Sequence, residues 1–163
     1  EDTGILQLRA RSDAPLETMP LVALGDTVRE DIPGYLGAGH IRVSSKIVQL
    51  RIAQPYVELT SGPESIRRGE RKKYVWTVRH HQAFEGRATV RLLGLPKGVV
   101  VDGSEPFLTS TASQVSFSLI ATDIALLGQA KDLICEVTVP VGEQTIVQRT
   151  GRGTLRIDPA VTK

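Results

Sequence analysis

Tyr74-Val75-Trp76-Thr77-Val78-Arg79 and Val115-Ser116-Phe117-Ser118-Leu119 are the stretches whose reading decides the fold. In each, a large apolar side chain recurs at every second position. A period of two puts one face on a core and the other in water, as in an antiparallel strand with one wet face. Working outward, Val48, Leu50 and Ile52 alternate with Gln49 and Arg51, and Ala88, Val90 and Leu92 alternate with Thr89 and Arg91. Further strands are expected at residues 5–10, 56–60, 99–101, 133–139, 144–148 and 154–157. Turn residues separate them: Ser61-Gly62-Pro63, Gly94-Leu95-Pro96-Lys97-Gly98, Asp102-Gly103, Pro140-Val141-Gly142 and Gly151-Arg152-Gly153.

Helical period is nearly absent. Residues 123–129 could form one turn, interrupted by Gly128. Residues 12–39 mix three prolines with four glycines and read as loop, with one short strand at 21–24. Short strands with turns every ten or so residues predict an all-β sandwich or barrel. The best boundary lies near Ala53-Gln54-Pro55. Residues 54–163 have the length of one sandwich domain. Residues 1–53, an N-terminal β/loop segment, are too few for a core of their own. They either add strands to the sandwich or form the tail of a preceding domain.

The chain has 163 residues, 40% hydrophobic and 23% charged, with a formal net charge of +2. That composition is globular and only weakly basic. There is one cysteine, Cys135, so an internal disulfide is impossible, and its apolar neighbours predict a buried side chain. Asn is absent, so no N-glycosylation acceptor exists. No apolar run reaches the ~20 residues of a membrane helix, so no membrane insertion is expected. The chain opens at Glu1, which reads as a trimmed or excised start.

Chemistry-bearing motifs are sparse. Of three histidines, His80 and His81 are adjacent and would point to opposite faces of a strand; His40 stands alone. HExxH and the nucleophile elbow are missing, so neither a metal site nor a catalytic residue is expected. Asp26, Glu30 and Asp31 form one acidic group, and Asp102 and Glu105 another, without calcium-loop spacing. Gly34, Gly37 and Gly39 do not match a dinucleotide fingerprint, and no cofactor is expected.

One basic run stands out: Arg67, Arg68, Arg71, Lys72 and Lys73, enclosing Glu70. It falls between expected strands and reads as a turn tip. Arg149, Arg152 and Arg156 could form a second patch. Such clusters bind polyanions or discourage edge pairing. Aromatics are only 4% of the chain, too few for base stacking, so no nucleic-acid partner is expected. Tyr35, in the Gly-rich loop, is the aromatic residue available as a carbohydrate platform. Tyr35, Arg67, Arg68, Arg71, Lys72 and Lys73 are therefore the candidate binding surface.

Ala83-Phe84-Glu85-Gly86-Arg87-Ala88-Thr89-Val90, then Leu93-Gly94-Leu95-Pro96-Lys97-Gly98-Val99, resemble bacterial immunoglobulin-like repeats. Their aromatic-x-Gly entry to a strand and their GLP-x-GV exit match these stretches. The run Ser118-Leu119-Ile120-Ala121-Thr122-Asp123 with residues 133–139 resembles their closing hairpin. The resemblance covers residues 55–158. It implies an immunoglobulin-like antiparallel β-sandwich, without the Cys…Trp…Cys framework of antibody domains. Trp76 can still fill the core between the sheets. The family's members are spacer, adhesion or assembly modules of exported multidomain proteins. The resemblance thus implies a non-catalytic interaction module in the periplasm, at the cell surface or secreted. Its partners would be neighbouring domains or other cell-surface proteins. The alternatives are a module that binds polysaccharide or another polyanion, and a hydrolase accessory domain.

Overall fold

The computed structural model describes residues 8, 10–11, 13–29 and 39–160. Two compact units are present, Glu1–Gln54 and Pro55–Lys163. Among the described residues every regular element is a β-strand.

The first unit is built from β1 (Thr18–Leu21), β2 (Leu24–Arg29), β3 (Gly39–Ser44) and β4 (Val48–Arg51). β1 pairs with β4 and β2 with β3, both antiparallel, in two separate two-stranded sheets. The strand expected at 21–24 is instead the junction between β1 and β2. The two-residue break at Val22-Ala23 is held by Ser45, whose N–H donates to Ala23 O at 2.9 Å and whose Oγ accepts from Ala23 N at 3.0 Å. Met19, Leu21 and Leu50 are half-buried, and no described side chain of this unit is fully buried. The expected strand at 5–10, except Leu8 and Ala10, lies outside the described residues, as does Tyr35.

The second unit holds β5 (Val57–Thr60), β6 (Pro63–Arg67), β7 (Arg71–His80), β8 (Ala88–Leu93), β9 (Val99–Val101), β10 (Phe107–Leu108), β11 (Gln114–Ala121), β12 (Gly128–Val141) and β13 (Gln144–Asp158). They form a four-stranded sheet, β5-β7-β11-β9, and a five-stranded sheet, β10-β8-β12-β13-β6. All pairings are antiparallel except that of β6 with β13, which is parallel.

The alternation read from the sequence sets what is buried. Tyr74, Trp76 and Val78 of β7 and Val115, Phe117 and Leu119 of β11 point inward. They meet Val90 and Leu92 of β8, Leu133, Cys135, Val137 and Val139 of β12, and Leu155 and Ile157 of β13 in one core. Burial of a large aliphatic or aromatic side chain stabilises by about 1.5–3 kcal/mol, so this core carries the unit.

Three local expectations are corrected. Gly151-Arg152-Gly153 is no turn: it lies inside β13, which runs unbroken from Gln144 to Asp158. A Cβ on Gly153 would sit 2.5 Å from Tyr74 Oη and 2.6 Å from Trp76 Cζ2. These glycines make room for aromatic rings arriving from the opposite sheet. Second, Ser61-Gly62-Pro63 is not all turn, because Pro63 starts β6. Third, residues 123–129 form no helix. A turn at Asp123-Ile124 leads through residues 125–127 into β12 at Gly128. The β12–β13 hairpin closes on Gly142-Glu143, with Gly142 at φ +59°, as a type II′ turn uses.

Candidate functional site

The basic run occupies the corner where the chain passes from the five-stranded to the four-stranded sheet. Arg67 ends β6, Arg68 and Gly69 form the turn, and Arg71, Lys72 and Lys73 open β7. It is therefore mostly strand, with only Arg68 of the five in the turn proper.

Three of the five cations are engaged within the unit. Lys72 turns inward, half-buried. Its Nζ lies 2.7 Å from Glu64 Oε2 and donates to Ser65 O at 2.8 Å. Arg68 Nε donates to Ala125 O at 2.7 Å, tying the corner to the β11–β12 connection. Arg71 pairs with Asp102 at 3.0 Å. Glu70, inside the run, accepts from Arg67 N–H at 2.8 Å, and its own N–H donates to Arg67 O at 3.0 Å. Arg67 and Lys73 are exposed, and neither side chain has an ion-pair partner among the described residues. Beside the corner a shallow open depression is lined by Pro63, Glu64, Ser65, Gln129 and Arg156.

The second basic patch is also paired: Arg149 with Glu136 at 2.9 Å and Arg156 with Asp158 at 2.9 Å. Arg152 comes only to 3.9 Å of Asp132, both strongly exposed. Such surface pairs contribute between nothing and about 1 kcal/mol.

The structure does not gather the other chemistry-bearing residues. His80 Nε2 is 2.8 Å from Ala112 O, while His81 Nε2 is 3.2 Å from Glu58 Oε2. The two rings thus have separate partners: His80 ends β7, and His81 lies in the bend after it, so the strand does not continue through both. Asp26 pairs with Arg42 at 3.0 Å, and Glu105 approaches Arg91 at 3.5 Å. Among the described residues no three His, Cys, Asp or Glu side chains cluster as metal ligands. No described helix is long and apolar enough to cross a membrane. Cys135 is fully buried, and that burial pushes its thiol up to about 12 from the ordinary 9.0.

Two polar residues escaped the sequence reading. Gln148 Oε1 accepts from Tyr56 N–H at 2.8 Å, and its Nε2 donates to Val57 O at 2.7 Å. Thr150 Oγ1 accepts from Leu59 N–H at 3.3 Å. Both stand on β13 and satisfy the outer edge of β5 in the other sheet. No sequence signal marks them, because the bonds span more than ninety residues. No protein-family model matches the chain, and no curated protein matches it in sequence.

Proposed function

We propose that the second unit is an immunoglobulin-like β-sandwich acting as a non-catalytic structural or interaction module, of the kind found in exported multidomain proteins. The strand order supports the fold. β5-β7-β11-β9 follows the A-B-E-D order of immunoglobulin sheets, and β8-β12-β13 follows C-F-G. β6, beside the last strand, belongs to the first strand's second half after a switch between sheets. β10, placed beside β8, is a local departure.

The observation that carries the functional reading is what the polar side chains bond to. Lys72, Arg68, Glu70, Gln148, Thr150 and His80 each reach a main-chain group at a strand edge or connection. Their chemistry is architectural. The exported setting is supported by the resemblance of residues 55–158 to bacterial repeats.

The test is to incubate the purified protein with ester, glycoside, phosphoester and peptide substrates. Intact substrates are the expected result. Turnover that disappears on His80→Ala or His81→Ala would overturn the reading. In parallel, a column of anionic polysaccharide separates this reading from polyanion binding. Retention abolished by Arg67→Glu with Lys73→Glu would favour the latter.

A further inference from the structure

The pairing of β13 fixes where its main-chain groups point. Val90 N–H donates to Pro106 O, so even-numbered residues of β8 turn toward β10. Its odd-numbered residues, Thr89, Arg91 and Leu93, then bond across to Thr138, Glu136 and Ile134 of β12. In β12 the intervening residues Val137, Val139 and Val141 bond to Gln148, Ile146 and Gln144. Alternation along an antiparallel ladder therefore turns the N–H and C=O of Thr145, Val147 and Arg149 away from β12. β6 meets β13 only over residues 154–158. The edge at 145–149 is unpaired among the described residues.

Neighbouring edges are partly occupied. Along β6, Pro63 has no N–H, Lys72 holds Ser65 O, and Glu70 holds both main-chain groups of Arg67. Along β5, Gln148 and Thr150 bond outward-facing groups. Where β12 outruns β8, the outward position is Pro140, which has no donor to leave open. β11 keeps a short free edge at Gln114 and Ser116, with polar side chains, because β9 reaches only residues 119–121. The free edge of β13 differs from it. Ile146 is 38% exposed and Val147 58% exposed. A stiff strand with unpaired main-chain groups and bare aliphatic side chains is a template for strand addition.

We propose that residues 145–149 of β13 pair antiparallel with the same residues of a second copy, about a two-fold axis at Val147. In that register Val147 faces Val147, Ile146 faces Gln148 and Thr145 faces Arg149. No like charges oppose each other, and Arg149 keeps its Glu136 partner. The turn of the second copy reaches as far as Glu143 opposite Gly151 and Gly142 opposite Arg152. It stops short of Pro63, which pairs with Thr154. Glu143, without an ion pair among the described residues, arrives beside Arg152, whose present carboxylate is 3.9 Å away. The contact is isologous, so it closes at two copies and joins two five-stranded sheets into one.

Sedimentation equilibrium of the full chain at micromolar concentrations tests this. The expected mass is twice that of one chain. Val147→Lys, which sets two ammonium groups face to face on the axis, should halve it, with the far-UV spectrum unchanged and a thermal midpoint that no longer rises with protein concentration. Ser116→Lys, on the β11 edge, should leave the doubled mass. In the wild type the Val147 amide should resist hydrogen exchange and lose that protection in Val147→Lys. A single-chain mass throughout the range, or a dimer that survives Val147→Lys, overturns the proposal.

Discussion

Tyr74 and Trp76 pack edge to face, 5.5 Å between ring centroids, and their rings lie against Gly153 of β13, with Trp76 also against Gly151. A Cβ on Gly151 would lie 2.6 Å from Leu59 O and 2.6 Å from Trp76 Cζ3, and this glycine also adopts φ +84°. Gly153→Ala should therefore destabilise the unit by about 2–3 kcal/mol, the cost of overpacking a rigid contact; a urea titration monitored at Trp76 reads it. Cys135 and Tyr74 make a second point. Burial raises both above their ordinary values, the thiol to about 12, while the Ser61 hydroxyl at 2.8 Å partly offsets the effect on Tyr74. An acid with a raised folded pKa stays protonated longer when folded than when unfolded. Its contribution is complete below the unfolded value and is lost as pH rises through the folded one. The urea midpoint should accordingly fall above pH 9, where the unfolded thiol begins to ionise at its ordinary 9.0. Cys135→Ala should flatten that decline. A midpoint level from pH 8 to 11 would refute it.

Edges, more than faces, distinguish one strand from another in this fold. Gln148→Leu would leave Tyr56 N–H and Val57 O without their partner, and an unsatisfied buried group costs about 1–3 kcal/mol. The variant should lose stability of that order, seen in the same titration, while β12–β13 pairing persists. The strands of the core were legible in the sequence wherever alternation was strict, as in β7, β8 and β11. β6 was not, because Pro63-Glu64-Ser65-Ile66-Arg67 buries only Ile66 and opens on a proline that reads as turn. The unity of β13 was hidden for the converse reason. Its glycines look like a turn until one knows that Trp76 fills the space beside them. The basic run was visible as charge, but its pairing was not. Glu64 precedes Lys72 by eight residues and Asp102 follows Arg71 by thirty-one, so only the folded sheets bring them together. Of the candidate surface, Tyr35 lies outside the described residues.

The two units differ in how they are held. The second has a continuous apolar core, whereas the two small sheets of the first have no fully buried described side chain. Two-stranded sheets by themselves are marginal in water. Amides of β1 to β4 should exchange with solvent orders of magnitude faster than those of β7 and β11, and mass-detected hydrogen exchange resolves the difference. Equal protection in both units would contradict it. The parallel pairing of β6 with β13 has a mechanical consequence. β6 lies near the entry of the chain into the second unit, and β13 is the last strand before it leaves. Tension applied along the chain draws these two strands in opposite directions along their own axes. The pairs from Pro63–Thr154 to Arg67–Asp158 are then strained in shear, all together, instead of being opened one after another like a zip. A unit built this way should resist being pulled at its ends, because five strand pairs must give way at once.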